Sequence, residues 1–467
     1  MSFSKYLDSK RSEMKQLVAE LKKSFQYVSV LGADVKSTAV MVDKRNSNIA
    51  PGSDTECGFV IKMSNGREFC EYSLDDISGD IPALAKKIVS SLALNEKLKE
   101  NVIDEVHLSD EPLVQSFERA GDFDNYTEKE LLDYCKETCG RLAGKSEAIL
   151  NAMVRLETLE VSKLFISTNR ELDQNYTWAT GMMMVVYHEN EKTVQTHESA
   201  AFNTLKAVMD ALPQKTDTLV HKAHMLTLAR AIEPGMYDVI TAPSITGLIA
   251  HEAFGHGVEM DQFVKDRALA KQYVGKRVAS PICNMRDGAD STLSVASYFF
   301  DDDGVLAGDT QIIKDGILVT GLSDLASATQ LQTAPTGNGR RESTRKKAYA
   351  RMTNTFFEKG TDKLEDMIAS IKHGYMLFET SNGMEDPKNW AIQCVAKYGI
   401  EIVDGKLTDN YVAPVVISGY VPDLLQSISM VSDDFEVIGL GQCGKGYKEW
   451  VRVSDGGPAL KVRVKLG

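Results

Sequence analysis

Residues 5–25, KYLDSKRSEMKQLVAELKKSF, set apolar positions at helical spacing in a charged background. The pattern then switches: the valines of YVSVLGADVKSTAVMV alternate as a half-buried strand requires. ECGFVIKMSNGREFCEYSL reads as a hairpin around Ser64-Asn65-Gly66, because Asn-Gly supplies the positive φ of a tight turn. Helices are predicted near 81–100 and 127–145, strands over most of 150–200 (VRLETLEVSKLFIST and MMMVVYHEN being the clearest), and a further helix near 214–231.

A boundary falls near 226–235, where ARAIEPGMYDVIT passes through Pro234-Gly235 into a short strand. After it come one helix containing HEAFGH, a polar irregular segment, and a run of short strands. Asp303-Gly304 and Asp315-Gly316 mark turns between apolar runs, and KYGIEIVDGKL, YVAPVVISGYV and ALKVRVKLG continue the pattern. The expectation is an α+β protein: a mixed α/β N-terminal domain over 1–225, and a β-rich, barrel-like, largely antiparallel C-terminal domain over 226–467.

Composition narrows the class. A chain of 467 residues, 43% of them hydrophobic, can bury a large core. A formal charge of −13 repels polyanions, so nucleic-acid binding would need a local basic patch. The 7 cysteines show no disulfide-like spacing, the start MSFSKYLDSKRSEM lacks an apolar signal core, and no apolar run approaches the roughly 18 residues of a membrane span. These features predict a cytoplasmic protein.

The chemistry concentrates in HEAFGH, His251 to His256. It resembles the zinc-binding H-E-x-x-H but is one residue too long: histidines five apart on an α-helix diverge by about 140°, against about 40° for four apart. A single wide π turn would bring residues i and i+5 onto one face, and Gly255 and Gly257 flank His256 where the backbone must depart from α geometry. Pro243-Ser244 make a suitable helix start, with serine accepting orphan amides. A catalytic zinc needs a third protein ligand. Glu259 and Asp261 lie close downstream, and Cys443 stands among glycines in GLGQCGKG, where thiolate and imidazole together favour zinc. The same eight residues nearly spell a phosphate-binding loop, but Gly446 replaces the hydroxyl residue and YKEWVRV reads as a strand where a helix is required.

Other motifs have plainer readings. Cys135 and Cys139 share a face of an amphipathic helix, as do His221 and His224, and packing accounts for both pairs. The run GNGRRESTRKKAYAR, 337–351, sets six basic residues against the single acid Glu342. It is either a solvated face or an anchor, in which Asn338, Arg340 and Arg341 bind substrate or an oxyanion.

HEAFGHGVEMD resembles the H-E-A-x-G-H-G-x-E-x-D signature of the TldD/PmbA family, zinc metallopeptidases that also carry the older label of modulators of DNA gyrase. PGMYDVITAPSITGLIAHEAFGH, DDDGV, PTGNGRRES, RMTNT and GLGQCGKG are similar to family motifs and follow in the family's order. The resemblance implies that His251, His256 and Cys443 hold zinc and that Glu252 is the general base. It further implies hydrolysis of unfolded or unstructured peptides inside the cavity of a dimer, either a homodimer or a heterodimer with a paralogous subunit. The chain keeps the H-E-x-x-x-H of the catalytic branch. The alternatives are a non-catalytic peptide-binding subunit and a regulator of a DNA enzyme acting through the basic run. Substrate is expected to lie along a strand edge, where backbone pairing is indifferent to side chains.

Overall fold

The computed structural model describes residues 2–65, 68–92, 108, 111–447 and 449–467. Gly66 of the predicted Asn-Gly turn and residues 93–100 of the predicted helix lie outside the described residues.

The first sheet is built from β1 (Tyr27–Asp43), β2 (Ser47–Pro51), β3 (Glu56–Ser64), β4 (Phe69–Leu74), β5 (Leu113–Arg119), β6 (Ile149–Ser167), β7 (Arg170–Glu189) and β8 (Lys192–Phe202). Its order is β4-β3-β1-β6-β7-β5, with β2 beside β1 and β8 beside β7. Helix Arg11–Leu21 buries Met14, Leu17, Val18 and Leu21, the i, i+3, i+4, i+7 stripe read in the sequence. Helix Glu128–Ala143 opens on a capping box of Thr127 and Glu130 and buries Leu131, Cys135, Cys139 and Leu142. Cys135 and Cys139 are therefore packing residues, and the Cys139 thiol donates to the Ala152 carbonyl at 3.4 Å. The helix expected over 214–231 is two, Leu205–Gln214 and Thr216–Leu228. The first, capped by the Thr204 hydroxyl and interrupted near its end by Pro213, was not foreseen.

From Gly235 onward the principal strands are β9 (Gly235–Thr241), β10 (Met285–Asp287), β11 (Thr310–Lys314), β12 (Ile317–Leu318), β13 (Asn354–Phe357), β14 (His373–Asp386), β15 (Ala391–Val403), β16 (Lys406–Val412), β17 (Val415–Tyr420), β18 (Glu436–Lys445), β19 (Glu449–Gly457) and β20 (Leu460–Leu466). Five of them, β14-β9-β20-β17-β15, close into a barrel because β15 also pairs with β14. In β20 the alternation is plain: Leu460, Val462, Val464 and Leu466 point inward, while Lys461, Arg463 and Lys465 stay more open. A neighbouring sheet runs β12-β11-β10-β13-β19-β18. The β-rich, barrel-like expectation is borne out, and most pairs are antiparallel. The two exceptions, β9 with β14 and β13 with β19, are parallel, and each joins strands distant in sequence, as a parallel pair requires.

Charge joins the first sheet to the later strands. Lys62 pairs with Asp303 and, at 3.3 Å, with Glu71, and Lys163 pairs with Asp302. Arg341 donates two bonds to Glu71, of 2.9 and 3.2 Å, and Arg452 reaches Glu157 at 2.7 Å. The DDDGV turn and much of the basic run are spent here. Burial alone would raise the Glu71 pKa, but Lys62 and Arg341 overcome it and hold the carboxyl down at about 2. A depressed carboxylate stabilises the fold above its unfolded pKa, and that stability is lost as pH falls toward the folded value. Glu71→Gln is therefore expected to melt below the wild type at pH 7, with the gap narrowing steadily as pH drops from 4.5 toward about 2 in thermal melts. A gap independent of pH would refute the assignment.

Candidate metal centre

The helix carrying the motif starts as an ordinary α-helix, Pro243–Leu248, with proline in its first turn. It then widens into a π-helix over Ile249–Gly255 and ends in a short 3-10 turn, His256–Val258. The extra residue of H-E-x-x-x-H is absorbed as the spacing required, and the His251 and His256 rings meet edge to face with centroids 5.0 Å apart. Two expectations about this helix need correction. Ala242, not serine, is the N-cap; the Ser244 hydroxyl accepts instead from the Glu379 amide at 3.0 Å. Gly255 has an ordinary helical φ of −58°, so conformational freedom is not its role. A Cβ there would lie 2.1 Å from Met352 Sδ and 2.9 Å from the Ala250 carbonyl, so glycine is needed for close approach.

Strand β18 delivers Cys443 to this helix. Its Sγ lies 3.6 Å from His256 Nε2, and the ligand atoms of His251, His256 and Cys443 all fall within 4.8 Å of one another. Among the described residues this trio is the cluster able to hold a metal ion. The buried Arg351 guanidinium donates to the Cys443 carbonyl and fixes the strand backbone. His256 is oriented from behind by Glu259, whose Oε2 lies 3.1 Å from Nδ1; Glu259 in turn accepts from Lys445 at 2.9 Å, and Lys445 also donates to Asp261 at 2.6 Å. Glu259 and Asp261 are thereby placed as support, with Nε2 of His256 left facing the sulfur.

The three donors tune one another. Burial works to raise the Cys443 pKa, yet the two imidazoles draw it well below its ordinary value. Conversely, burial works to lower His251 and His256, and the sulfur raises both. A thiolate is thus ready-made here. Tetrahedral zinc with bonds of about 2.3 Å to sulfur and about 2.0–2.1 Å to nitrogen separates such ligand atoms by about 3.6 Å, as Cys443 and His256 are. His251 Nδ1 is buried without a hydrogen-bond partner, a cost that fits a site built for a ligand. The donor set and spacing fit zinc.

Glu252 follows His251 and lies beneath β14, where a Cβ on Gly383 would meet its Cγ at 2.5 Å. Burial raises its pKa, opposed by the two histidines. The three residues expected to bind substrate are otherwise engaged. Asn338 is wholly buried and donates to Asp287 and to the Arg351 carbonyl. Arg340 donates to the carbonyls of Met352 and Arg452, and Arg341 is bound to Glu71 and the Lys346 carbonyl. Sequence reasoning passed over Lys445, although it stands two residues after Cys443, on the same face of the strand by the period of two. It also missed Glu385 and Trp390 beside Gly257, for which no local motif exists.

Two imidazoles, a thiolate and an adjacent carboxylate, gathered on a helix that widens to bring them together, form the donor set of a metallohydrolase. Residues 234–466 match the family model described as the PmbA/TldA metallopeptidase C-terminal domain. The chain is 30% identical over 308 residues to a zinc metalloprotease TldD homolog of Saccharolobus solfataricus, covering 65% of this chain and 68% of that one. It is 34% identical over 244 residues to a metalloprotease TldD homolog of Haemophilus influenzae, and spans half the length of that relative. A crystal structure from Thermotoga maritima, carrying the name modulator of a DNA gyrase, superposes with a TM-score of 0.78 at 18% identity, over 98% of this chain and 100% of that one. The chain belongs to the PmbA/TldD metallopeptidase family.

Proposed function

We propose that this protein is a zinc-dependent peptidase that hydrolyses unfolded or unstructured peptides, with His251, His256 and Cys443 as zinc ligands and Glu252 as general base. The observation that carries this reading is the convergence of the two imidazoles and the thiolate within 4.8 Å, with Glu252 adjoining. When bound, zinc supplies Lewis acidity at the scissile carbonyl and acidifies water. Glu252 accepts the proton of the attacking water and returns it to the leaving amine. Glu259 and Lys445 hold the His256 ring in place throughout.

An extended substrate has a place to lie. Strand β9 pairs with β14 only across Gly374–Leu377, so among the described residues that edge of β14 is unpaired by any strand from 378 to 386, the stretch that passes over Glu252. The same reading assigns residues 1–225 and 226–467 as two domains, and a homodimer or a heterodimer with a paralogous subunit enclosing a cavity. It also places the chain in the cytoplasm; all seven cysteines are free, and no described helix is long and apolar enough to cross a membrane. The reading as a regulator of a DNA enzyme is weakened because Arg341 is buried against Glu71 and Arg340 against carbonyls. Purified protein is expected to degrade disordered casein, to stop after chelation and to resume with added zinc, while leaving a folded control intact. Equal degradation of the folded control would overturn the substrate class; no zinc dependence would overturn the mechanism.

A further inference from the structure

Next to the metal centre lie polar groups that the mechanism does not use. Both carboxyl oxygens of Glu385 are buried and have no hydrogen-bond partner. The Trp390 ring is wholly buried among Phe254, Tyr273 and Tyr420, and its Nε1–H is also unpartnered. Leaving such atoms bare is costly unless something else pairs with them. They converge on one spot. A Cβ on Gly257, the residue after His256, would lie 2.7 Å from Glu385 Oε1 and 3.4 Å from Trp390 Nε1. Glycine at 257 therefore lets an acceptor and a donor both approach closely the residue that follows His256. Glu385 is two residues beyond Gly383 on β14, so by strand alternation both face the motif helix, one over Glu252 and the other over Gly257. Trp390 holds a left-handed φ of 52° in the turn after this strand, a conformation uncommon for a bulky residue and seen where a side chain is fixed for a purpose.

The pair of unused groups defines what they fit. An ammonium group would pair with Glu385 and leave the indole N–H bare, and because burial pushes the Glu385 carboxyl up to about 9, its carbonyl oxygen is the acceptor it offers near neutral pH. One residue of an extended peptide presents its N–H and its C=O toward the same edge, a donor and an acceptor side by side. We propose that Glu385 and Trp390 form a subsite beside the metal centre that holds one residue of the substrate by its backbone, the carboxyl accepting from the N–H and the indole donating to the C=O. The subsite rests on the peptidase reading and deepens it: it positions the chain without reading side chains, and gives a main-chain anchor next to the reacting groups. Glu385 and Trp390 are positioning residues.

The test measures binding on the full-length zinc-loaded chain carrying Glu252→Gln, with a fluorescein-labelled unstructured decapeptide of Gly, Ala, Ser and Val. Trp390→Phe removes the donor and keeps an aromatic ring, and Glu385→Met removes the acceptors at similar volume; each is expected to weaken binding about tenfold, the scale of one lost hydrogen bond to a buried partner. Glu385→Gln keeps an acceptor oxygen and is expected to recover part of the loss. In the parent, N-methylating the probe one position at a time is expected to weaken binding at the positions that pair with the β14 edge and at the one held by Glu385, and in Glu385→Met only the latter is expected to lose its penalty. The scan on the parent needs no further substitution, so its negative outcome stands even if a variant fails to fold. Unchanged affinity in both variants, or a scan with no sensitive position, overturns the subsite. So does a probe that binds only with a free amino terminus, because the carboxyl then holds an ammonium. Wild-type protein that holds zinc and yet leaves casein intact would instead defeat the peptidase reading, whatever the binding results.

Discussion

Glu252→Gln is expected to lower the hydrolysis of a disordered substrate by about a thousandfold while leaving bound zinc unchanged, because glutamine matches the shape of glutamate but cannot take a proton. Several features assign this role to Glu252 over the other carboxyls nearby. It directly follows His251 in the π-helical segment, where the backbone is held from both sides. The close approach of Gly383 to its Cγ leaves little room for the side chain to turn away. Glu259, by contrast, is committed to His256 and Lys445 and is held strongly ionised by them, which makes it a poor base. Burial, the largest influence on Glu252, raises its pKa above the ordinary 4.5, toward the range where a carboxylate exchanges protons efficiently near neutral pH. The sign of the pH effect follows. Activity needs the ionised form, so kcat/KM is expected to fall as pH drops through the raised pKa, at a pH above that of a free glutamate. Wild-type rates surviving in Glu252→Gln, with zinc in place, would remove it from the mechanism, whereas no hydrolysis by either protein would favour a non-catalytic peptide-binding subunit.

How far the sequence carried this site depends on which residues are local. His251, Glu252 and His256 lie in six consecutive positions, and their mismatch with α-helical periodicity already called for a π turn; the structure places one at Ile249–Gly255. Cys443 is 187 positions from His256, and no periodicity links the two. Only the family resemblance favoured it over Glu259 and Asp261. The strand alternation that brings Lys445 to the same face is plain once Cys443 is accepted. The barrel was legible as a type because its strands are short, alternating and separated by Asp-Gly turns. Its closure was not, since the β14–β9 and β9–β20 pairs join segments more than 130 residues apart. The basic run shows the same limit: Glu71 and Asp75, which pair with Arg341 and Arg345, lie 270 positions away, so part of its charge looks uncompensated along the chain and is paired in space. Glu385 and Trp390 belong to the same class, ordinary residues in a hairpin whose meaning comes from how closely Gly257 lets them approach the motif helix.

Cys443→Ala is expected to leave the purified protein essentially free of zinc, and Glu259→Gln to retain a full equivalent at high zinc while binding it more weakly. The two substitutions probe different links to the same ion. Removing Cys443 deletes a donor whose ionisation the two imidazoles favour, and leaves those imidazoles without their sulfur partner. Removing the charge of Glu259 keeps all three donors but frees the His256 ring, whose Nδ1 it holds at 3.1 Å, and leaves Lys445 with Asp261 as its remaining carboxylate. Loss of such an orienting partner costs roughly 10–100-fold in metal affinity, and loss of a ligand itself costs more. Zinc measured by elemental analysis after equilibration against a chelator series should therefore rank wild type, Glu259→Gln and Cys443→Ala in that order. Full occupancy in Cys443→Ala would mean that the third ligand is not this sulfur. Complete loss in Glu259→Gln with retention in Cys443→Ala would make Glu259 the ligand, which requires the His256 ring to turn over, because Glu259 and Cys443 contact opposite nitrogens of that ring.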